Sequence, residues 1–395
     1  MTQAVSKFSP QGVASRADEI TSLQYARGLA ALLVCLYHYE GLAVKYFGGF
    51  GLDNIFRAGY SGVDFFFVLS GYIIFRAHRS DIGRPSNLRT FYLKRIVRIV
   101  PMYWLTVIPL GLAFLAIPAF GANRDLTLGK FILDIFLVPR EGVLTLPPSW
   151  TLQHEIVFYL VFSLIIINVR MGLAALLVWQ GTCLINYIFS LYNNDYMIPL
   201  NKVIGYYNLG FGFGLGIALL ERRVNLEQYR NILSYAAAIA FVLLLICFVS
   251  EWSGVEILPI FHNFALKYFL LYSVIVLWLL SLPRRPRPVL DGTLGSLGAA
   301  SYALYIIHEP LQSFVYKIFM VTKLTTFLTA TSFYLVSVAI AVGLAVVLHT
   351  QVEALLIRLL RRRFISSKRA GQKPSLPLPQ PDVVVPNTGS PEAGV

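Results

Sequence analysis

The stretch RGLAALLVCLYH, Arg27 to His38, sets a permanent cation and an imidazole into an otherwise apolar run. Eleven residues on an α-helix advance about 16 Å and turn about 1100°, which leaves Arg27 and His38 within about 20° of each other around the axis. Both polar side chains therefore share one face. Ionisable groups inside a membrane span are costly and turn toward a bundle interior or a wet cavity, where they mark functional sites.

Composition says that this helix has company. Of 395 residues, 56% are hydrophobic and only 13% charged, an imbalance foreign to soluble domains. Apolar runs of about twenty residues recur between short basic loops, and the alternation expected of barrel strands is missing. The fold expected is an all-α polytopic membrane protein, with about ten transmembrane helices around an intramembrane polar cavity. The spans fall near residues 23–44, 61–77, 99–120, 150–169, 172–192, 200–220, 232–250, 261–282, 296–319 and 326–357. They divide the chain into a cytoplasmic segment 1–20, a membrane domain 21–360, and a tail 361–395 that is basic, then Pro-rich and disordered.

Lys and Arg set the orientation, because positively charged loops stay in the cytoplasm. With both termini inside, the clusters Arg76 to Arg98, Arg222 with Arg223 and Arg230, Arg284 with Arg285 and Arg287, and Arg358 to Arg363 all face the cytoplasm. The net charge of +13 is thus mainly a topology signal, and no nucleic-acid partner is expected. Residues 1–20 lack the apolar core of a removable signal, so the first span is expected to direct insertion. Cys35, Cys183 and Cys247 fall within spans as packing residues, without metal-ligand spacing, and no metal is expected.

Five further stretches carry polar chemistry. In SGVDFFFVLSGYIIF, Asp64 stands near the outer end of a span, where it reads either as an interfacial carboxylate that still reaches water or as a site residue. In FYLKRIVRIVPMYW, Arg95 and Arg98 are three apart on one helical face, a pairing that suits phosphate and equally serves as a topology anchor; Pro101 fits the first turn of the span. The piece LGKFILDIFLVP can lie along the membrane surface. In WTLQHEIVFYL, Glu155 and Tyr159 are four apart, and Glu155 rather than the neighbouring His154 is assigned to the interior. In LGSLGAASYALYIIHEPL, Ser301, Tyr305 and His308 form a polar stripe, with His308 at a depth close to that of His38 and Pro310 just beyond. Asn208 with Gly210, Gly212, Gly214 and Gly216 reads as a tight helix-packing face, not a dinucleotide loop. His262 is expected at the outer interface, and Glu353 in a structural pair with a loop arginine.

Taken in order, Arg27 through His38, GVDFFFVLSGY, KRIVRIVPMYW, PSWTLQHEIVFY and SYALYIIHEPL resemble the acyltransferase 3 family of integral-membrane acyltransferases, over about Leu23 to Glu353. Within it the likeness is to exopolysaccharide acetyltransferases; where such proteins often carry Pro after the late Glu, this chain has Ala354. The resemblance implies transfer of an acyl group, usually acetyl, from cytoplasmic acyl-CoA to a hydroxyl of a surface or lipid-linked carbohydrate. Its partners would be acetyl-CoA, the carbohydrate acceptor, the lipid bilayer and polysaccharide-assembly proteins, and its place the bacterial inner membrane. It also implies His38 as general base, with Glu155, His308 and Tyr305 as catalytic companions and Arg27, Arg95 and Arg98 on the donor. The competing class is a transporter or flippase with a His/Glu proton relay, which predicts internal repeats that the two halves do not show.

Overall fold

A computed structural model describes residues 21–49, 52–117, 125–190, 197–258, 266–283, 288–324 and 327–365. The expectations for residues 1–20, His262, Arg284, Arg285 and Arg287, and the tail from Ser366 lie outside the described residues.

Among the described residues the chain is helical, with helices at each of the expected span positions. They are α1 (Thr21–Phe47), α2 (Gly62–His78), α3 (Leu88–Ala116), a short α4 (Leu128–Ile135), α5 (Trp150–Ile167), α6 (Val169–Phe189), α7 (Leu209–Arg223), α8 (Arg230–Ser253), α9 (Lys267–Ser281), α10 (Ser301–Val321), α11 (Ala330–Leu348) and α12 (Ala354–Phe364). Among the described residues seven segments rather than ten are long and apolar enough to cross a membrane: Arg57–His78, Pro85–Ala116, Pro147–Ile167, Val169–Phe189, Asn201–Arg223, Leu226–Ser253 and Ala330–Phe364. The other three fall short for physical reasons. The helix α9 has only fifteen residues. Helices α1 and α10 are long enough but carry Arg27, His38, Glu40 and Lys45, and His308, Glu309, Gln312 and Lys317, respectively. Three of these polar residues, Arg27, His38 and His308, are candidate-site residues. The chain is an integral membrane protein.

Side-chain chemistry sets several helix limits. Asn168 accepts from the Met171 amide at 3.1 Å and opens α6, while Thr329 accepts from the Ser332 amide at 3.1 Å and opens α11. Helix α3 begins at Leu88 and runs through Pro101 and Pro109, so Pro101 lies in its interior and not in its first turn. Arg95 and Arg98 consequently ride on a helix already two turns old. Between His349 and Glu353 the backbone winds as a π-helix, and the two side chains pair at 2.8 Å. The partner of Glu353 is thus its own helical neighbour, not a loop arginine.

The core gathers around α2, which packs most extensively on α7. The glycine face of α7 makes this possible: a Cβ at Gly214 would stand 2.0 Å from the Val68 carbonyl oxygen. Phe158 of α5 then stacks on Phe211 of α7 with ring centroids 4.4 Å apart. Helix α1 closes the other side against α10 and α11, pinned by hydrogen bonds from Tyr39 to the His308 carbonyl (3.2 Å), Gln312 to the His38 carbonyl (2.8 Å) and Tyr334 to the Leu36 carbonyl (3.2 Å). All three cysteines are free and buried, as packing residues should be.

The amphipathic piece is α4, with Leu128, Ile132 and Leu133 exposed. Its opposite face is held by a buried fork: Arg140 Nε and Nη2 each donate to the Asp134 carboxylate at 2.7 Å, and the Thr145 amide and hydroxyl donate to the same carboxylate. Lys130, at the start of this segment, hydrogen-bonds the exposed Asp125 and holds its carboxyl below the usual carboxylate range.

Candidate active site

A pocket of about 110 Å³ opens between α1, α2, α3, α5 and α10. Arg27, Arg95, Arg98, Ser70, Glu155, Ser301 and Tyr305 supply its polar lining, and residues such as Phe66, Ile73 and Leu152 its apolar walls. Six of the residues singled out in sequence, scattered over nearly three hundred positions, thus meet in one place.

Most are held by a neighbour. Arg27 donates to Ser301 Oγ at 3.1 Å, which joins α1 to α10 and leaves the serine's own hydrogen to point elsewhere. Glu155 accepts from Ser70 Oγ at 3.4 Å and from Tyr159, four residues on, so the pairing read from the helical spacing is present. Tyr305 is more committed than its sequence role implied: its hydroxyl lies 2.9 Å from Thr151 Oγ1 and 3.2 Å from the Pro148 carbonyl. That bond ties α10 to the start of α5.

Arg95 rests on a relay that the sequence reading passed over. Its Nη2 lies 3.3 Å from His78 Nε2, and His78 Nδ1 lies 2.7 Å from Asp81 Oδ2. A guanidinium has no acceptor capacity, so His78 Nε2 accepts and Nδ1 carries the hydrogen donated to Asp81. Asn87 donates to the other Asp81 oxygen at 2.8 Å. Meanwhile Arg95 Nε is buried without a hydrogen-bond partner. Three guanidiniums face one carboxylate across this pocket, and one buried donor is unspent: the donor set suits a phosphate-bearing ligand. The only sequence signal for the relay was the i, i+3 spacing of His78 and Asp81.

His38 and His308 do not line the pocket. They meet each other instead, with ring centroids 4.9 Å apart, and the Tyr305 ring, which lines the cavity, lies 5.9 Å from that of His308. His308 Nδ1 faces two carbonyls, Tyr305 at 2.8 Å and Leu304 at 3.3 Å. Carbonyls only accept, so Nδ1 holds the hydrogen and Nε2 presents its lone pair; that Nε2 is buried and has no hydrogen-bond partner. The equal depth inferred for the two histidines becomes direct adjacency.

Two readings change. His154 is buried, with Nδ1 2.9 Å from Asn208 Oδ1, while Glu155 is half-buried, because α5 has helices on both sides: Glu155 faces the pocket and His154 faces the α7 entry. Asp64 is buried at 4% exposure rather than lying at a wet interface. Among the described residues no group of three His, Cys, Asp or Glu side chains is placed to hold a metal ion.

This geometry can be set beside known proteins. A family profile described as an acyltransferase domain matches residues 20–349. The chain belongs to the acyltransferase 3 family. It is 34% identical over 116 residues to the exopolysaccharide production protein ExoZ of Rhizobium meliloti (strain 1021), covering 27% of this chain and 34% of that protein. It is 25% identical over 296 residues to "Putative acetyltransferase ORF330" of Acidianus two-tailed virus, covering 71% of this chain and 80% of the viral protein. A staphylococcal protein named "Putative O-acetyltransferase" (Staphylococcus aureus, strain COL) is 22% identical over 342 residues, 76% of this chain and 52% of its own length. The matches thus span about a third of the rhizobial relative and about half of the staphylococcal one. No solved structure matches.

Proposed function

We propose that this acyltransferase moves an acetyl group from cytoplasmic acetyl-CoA to a hydroxyl of a surface or lipid-linked carbohydrate, across a polar cavity inside a ten-helix bundle. In this reading the bundle lies in a bacterial inner membrane with both termini cytoplasmic, and α1 and α10 cross it despite their polarity. One observation carries the reading: Tyr305 of the arginine-lined pocket touches the buried His308, which pairs with the half-buried His38 and keeps one lone pair unspent.

The donor's phosphates would lie against Arg95 and Arg98, with Arg27 deeper toward the thioester. The histidine pair acts as base. As the acceptor oxygen attacks the thioester carbon, its proton passes to the imidazole lone pair, and the negative charge moves to the carbonyl oxygen. Ser301 is the better oxyanion donor than Tyr305, because Arg27 donates to its oxygen and frees its hydrogen, while the Tyr305 hydroxyl is engaged with Thr151 and Pro148. Collapse breaks the C–S bond, and the thiolate takes the proton back from the imidazolium. Glu155 stabilises charge near Arg95.

The test compares surface carbohydrate from cells with and without the chain by NMR, looking for acetyl signals that disappear with it and return with the intact gene. Unchanged acetylation would overturn the proposal; loss of polymer export with acetylation intact would favour a transporter.

A further inference from the structure

A second polar cluster lies at the opposite end of the bundle from Arg27, Arg95 and Arg98. Asp64 in the first turn of α2, Lys267 at the start of α9 and Lys202 just before α7 are 4%, 5% and 1% exposed, respectively. Burying three charged side chains at one end of a membrane bundle is expensive, and such groups in membrane proteins usually serve a ligand or a path. The Asp64 carboxylate is within electrostatic reach of Lys267, Tyr206, Tyr207 and Tyr272.

The walls around these charges are aromatic. Tyr206 and Tyr207 stack at 4.3 Å, Trp150 meets Tyr207 at 4.8 Å, and Lys202 Nζ sits 5.3 Å over the Trp150 ring. Lys267 Nζ sits 5.1 Å over Tyr268, whose ring is 5.9 Å from that of Tyr60. Unlike the charges they surround, Tyr60, Trp150, Tyr206 and Tyr207 are only half-buried. The wall also leads somewhere: Tyr60 lies 5.7 Å from Tyr37, and Tyr37 5.0 Å from His38. His38 is therefore linked by ring contacts both to the arginine pocket, through His308 and Tyr305, and to this cluster, through Tyr37 and Tyr60.

We infer that the aromatic cluster around Asp64, Lys202 and Lys267 is the acceptor subsite, binding a sugar ring that enters from the outer side and carries its hydroxyl to His38. The inference rests on the transferase reading above. Aromatic faces match the C–H faces of a sugar ring, while a carboxylate and ammonium groups fix hydroxyls; a few placed polar groups among aromatic walls are the usual make-up of such pockets.

The experiment uses the full chain in lipid nanodiscs with acetyl-CoA, and as acceptor oligosaccharides cut from chemically de-O-acetylated surface polysaccharide of the source cells. CoA release is followed at varied donor and varied acceptor. The intact protein should be accelerated by the oligosaccharides and acetylate them. Tyr207→Ala and Tyr60→Ala should raise the acceptor KM tenfold or more with the donor KM within twofold, and Tyr207→Phe, which keeps the ring face, should stay within threefold of the intact protein. Equal rises in both KM values, or an acceptor KM unmoved in folded Tyr207→Ala and Tyr60→Ala, would overturn the subsite and leave the transferase standing. Donor turnover that no oligosaccharide accelerates would do the same. Absence of any thioester cleavage by the intact protein would overturn the transferase reading and the subsite with it.

Discussion

His308 Nδ1 lies 2.8 Å from the Tyr305 carbonyl oxygen, one turn back on its own helix, and this single contact fixes which nitrogen of the buried imidazole carries a lone pair. With His38 4.9 Å away, the base proposed above would have the tautomer of its His308 member set before substrate arrives. Substituting either histidine by Ala should lower the rate of acetyl transfer by about 10²- to 10⁴-fold, the range of general-base catalysis. Because the two act as one unit, the double variant should be little worse than either single one. Single-turnover CoA release measures both effects, and full activity in either single variant would remove the pair from the mechanism.

The relay behind Arg95 gives a different signature. His78→Ala removes the acceptor for Arg95 Nη2 and the partner of Asp81, but no group that touches the reacting atoms. The expected result is a donor KM raised about tenfold, roughly the worth of one hydrogen bond to a charged group, with kcat nearly unchanged. His78→Gln, whose side-chain oxygen can accept from Arg95, should recover part of that loss. Arg95→Ala combined with Arg98→Ala should raise the donor KM further; unchanged donor dependence would make these arginines topology anchors.

Much of this arrangement was legible in the sequence because membrane helices announce themselves twice, once by apolar length and again by the polar residues that break the pattern. Arg27, Glu155, Ser301 and Tyr305 were found as such interruptions, Arg95 and Arg98 as a basic face just ahead of a span, and the fold gathers them around one pocket. Helical spacing also gave the Glu155 and Tyr159 pair. What spacing cannot give is how many sides of a helix are covered. His154 was set at an interface because one face of α5 was assumed to meet lipid, whereas Asn208 waits for it. For Asp64 spacing left the interface and a site equally open, and the fold buries it. That Tyr305 lines the pocket while the histidine pair does not depends on how α10 lies against α1 and α5, which no local pattern encodes.

The fork between Asp134 and Arg140 makes a prediction about stability. Both side chains are buried, so Arg140→Ala strands a carboxylate that the Thr145 donors alone must satisfy. The expected loss is about 3–5 kcal/mol, as for other buried pairs broken on one side. Replacing both partners, as Asp134→Leu with Arg140→Met, should recover a good part of it, because neither charge is then left alone. Thermal unfolding in detergent, followed by tryptophan fluorescence, distinguishes the single from the double variant.

The contact between α2 and α7 offers the sharpest contrast, since two glycines two residues apart differ in what surrounds them. A Cβ at Gly214 would stand 2.0 Å from the Val68 carbonyl oxygen and 2.6 Å from the Tyr72 amide nitrogen, backbone atoms that can yield only if the helices separate. At Gly216 a Cβ would meet nothing within 4 Å. Gly214→Ala should therefore cost about 1–3 kcal/mol, the usual penalty of overpacking, and Gly71→Ala on the facing helix, whose Cβ would lie 2.2 Å from the Phe211 carbonyl oxygen, should cost a similar amount. Gly216→Ala should be neutral or slightly stabilising, because alanine favours the helix and has room. The α2–α7 seam also borders the pocket through Ser70, Ile73 and Phe211, so Gly214→Ala should weaken donor use in the fraction that folds while Gly216→Ala leaves it unchanged. Equal behaviour of Gly214→Ala and Gly216→Ala in both unfolding and donor KM would mean that the close approach of these two helices does not hold the site together.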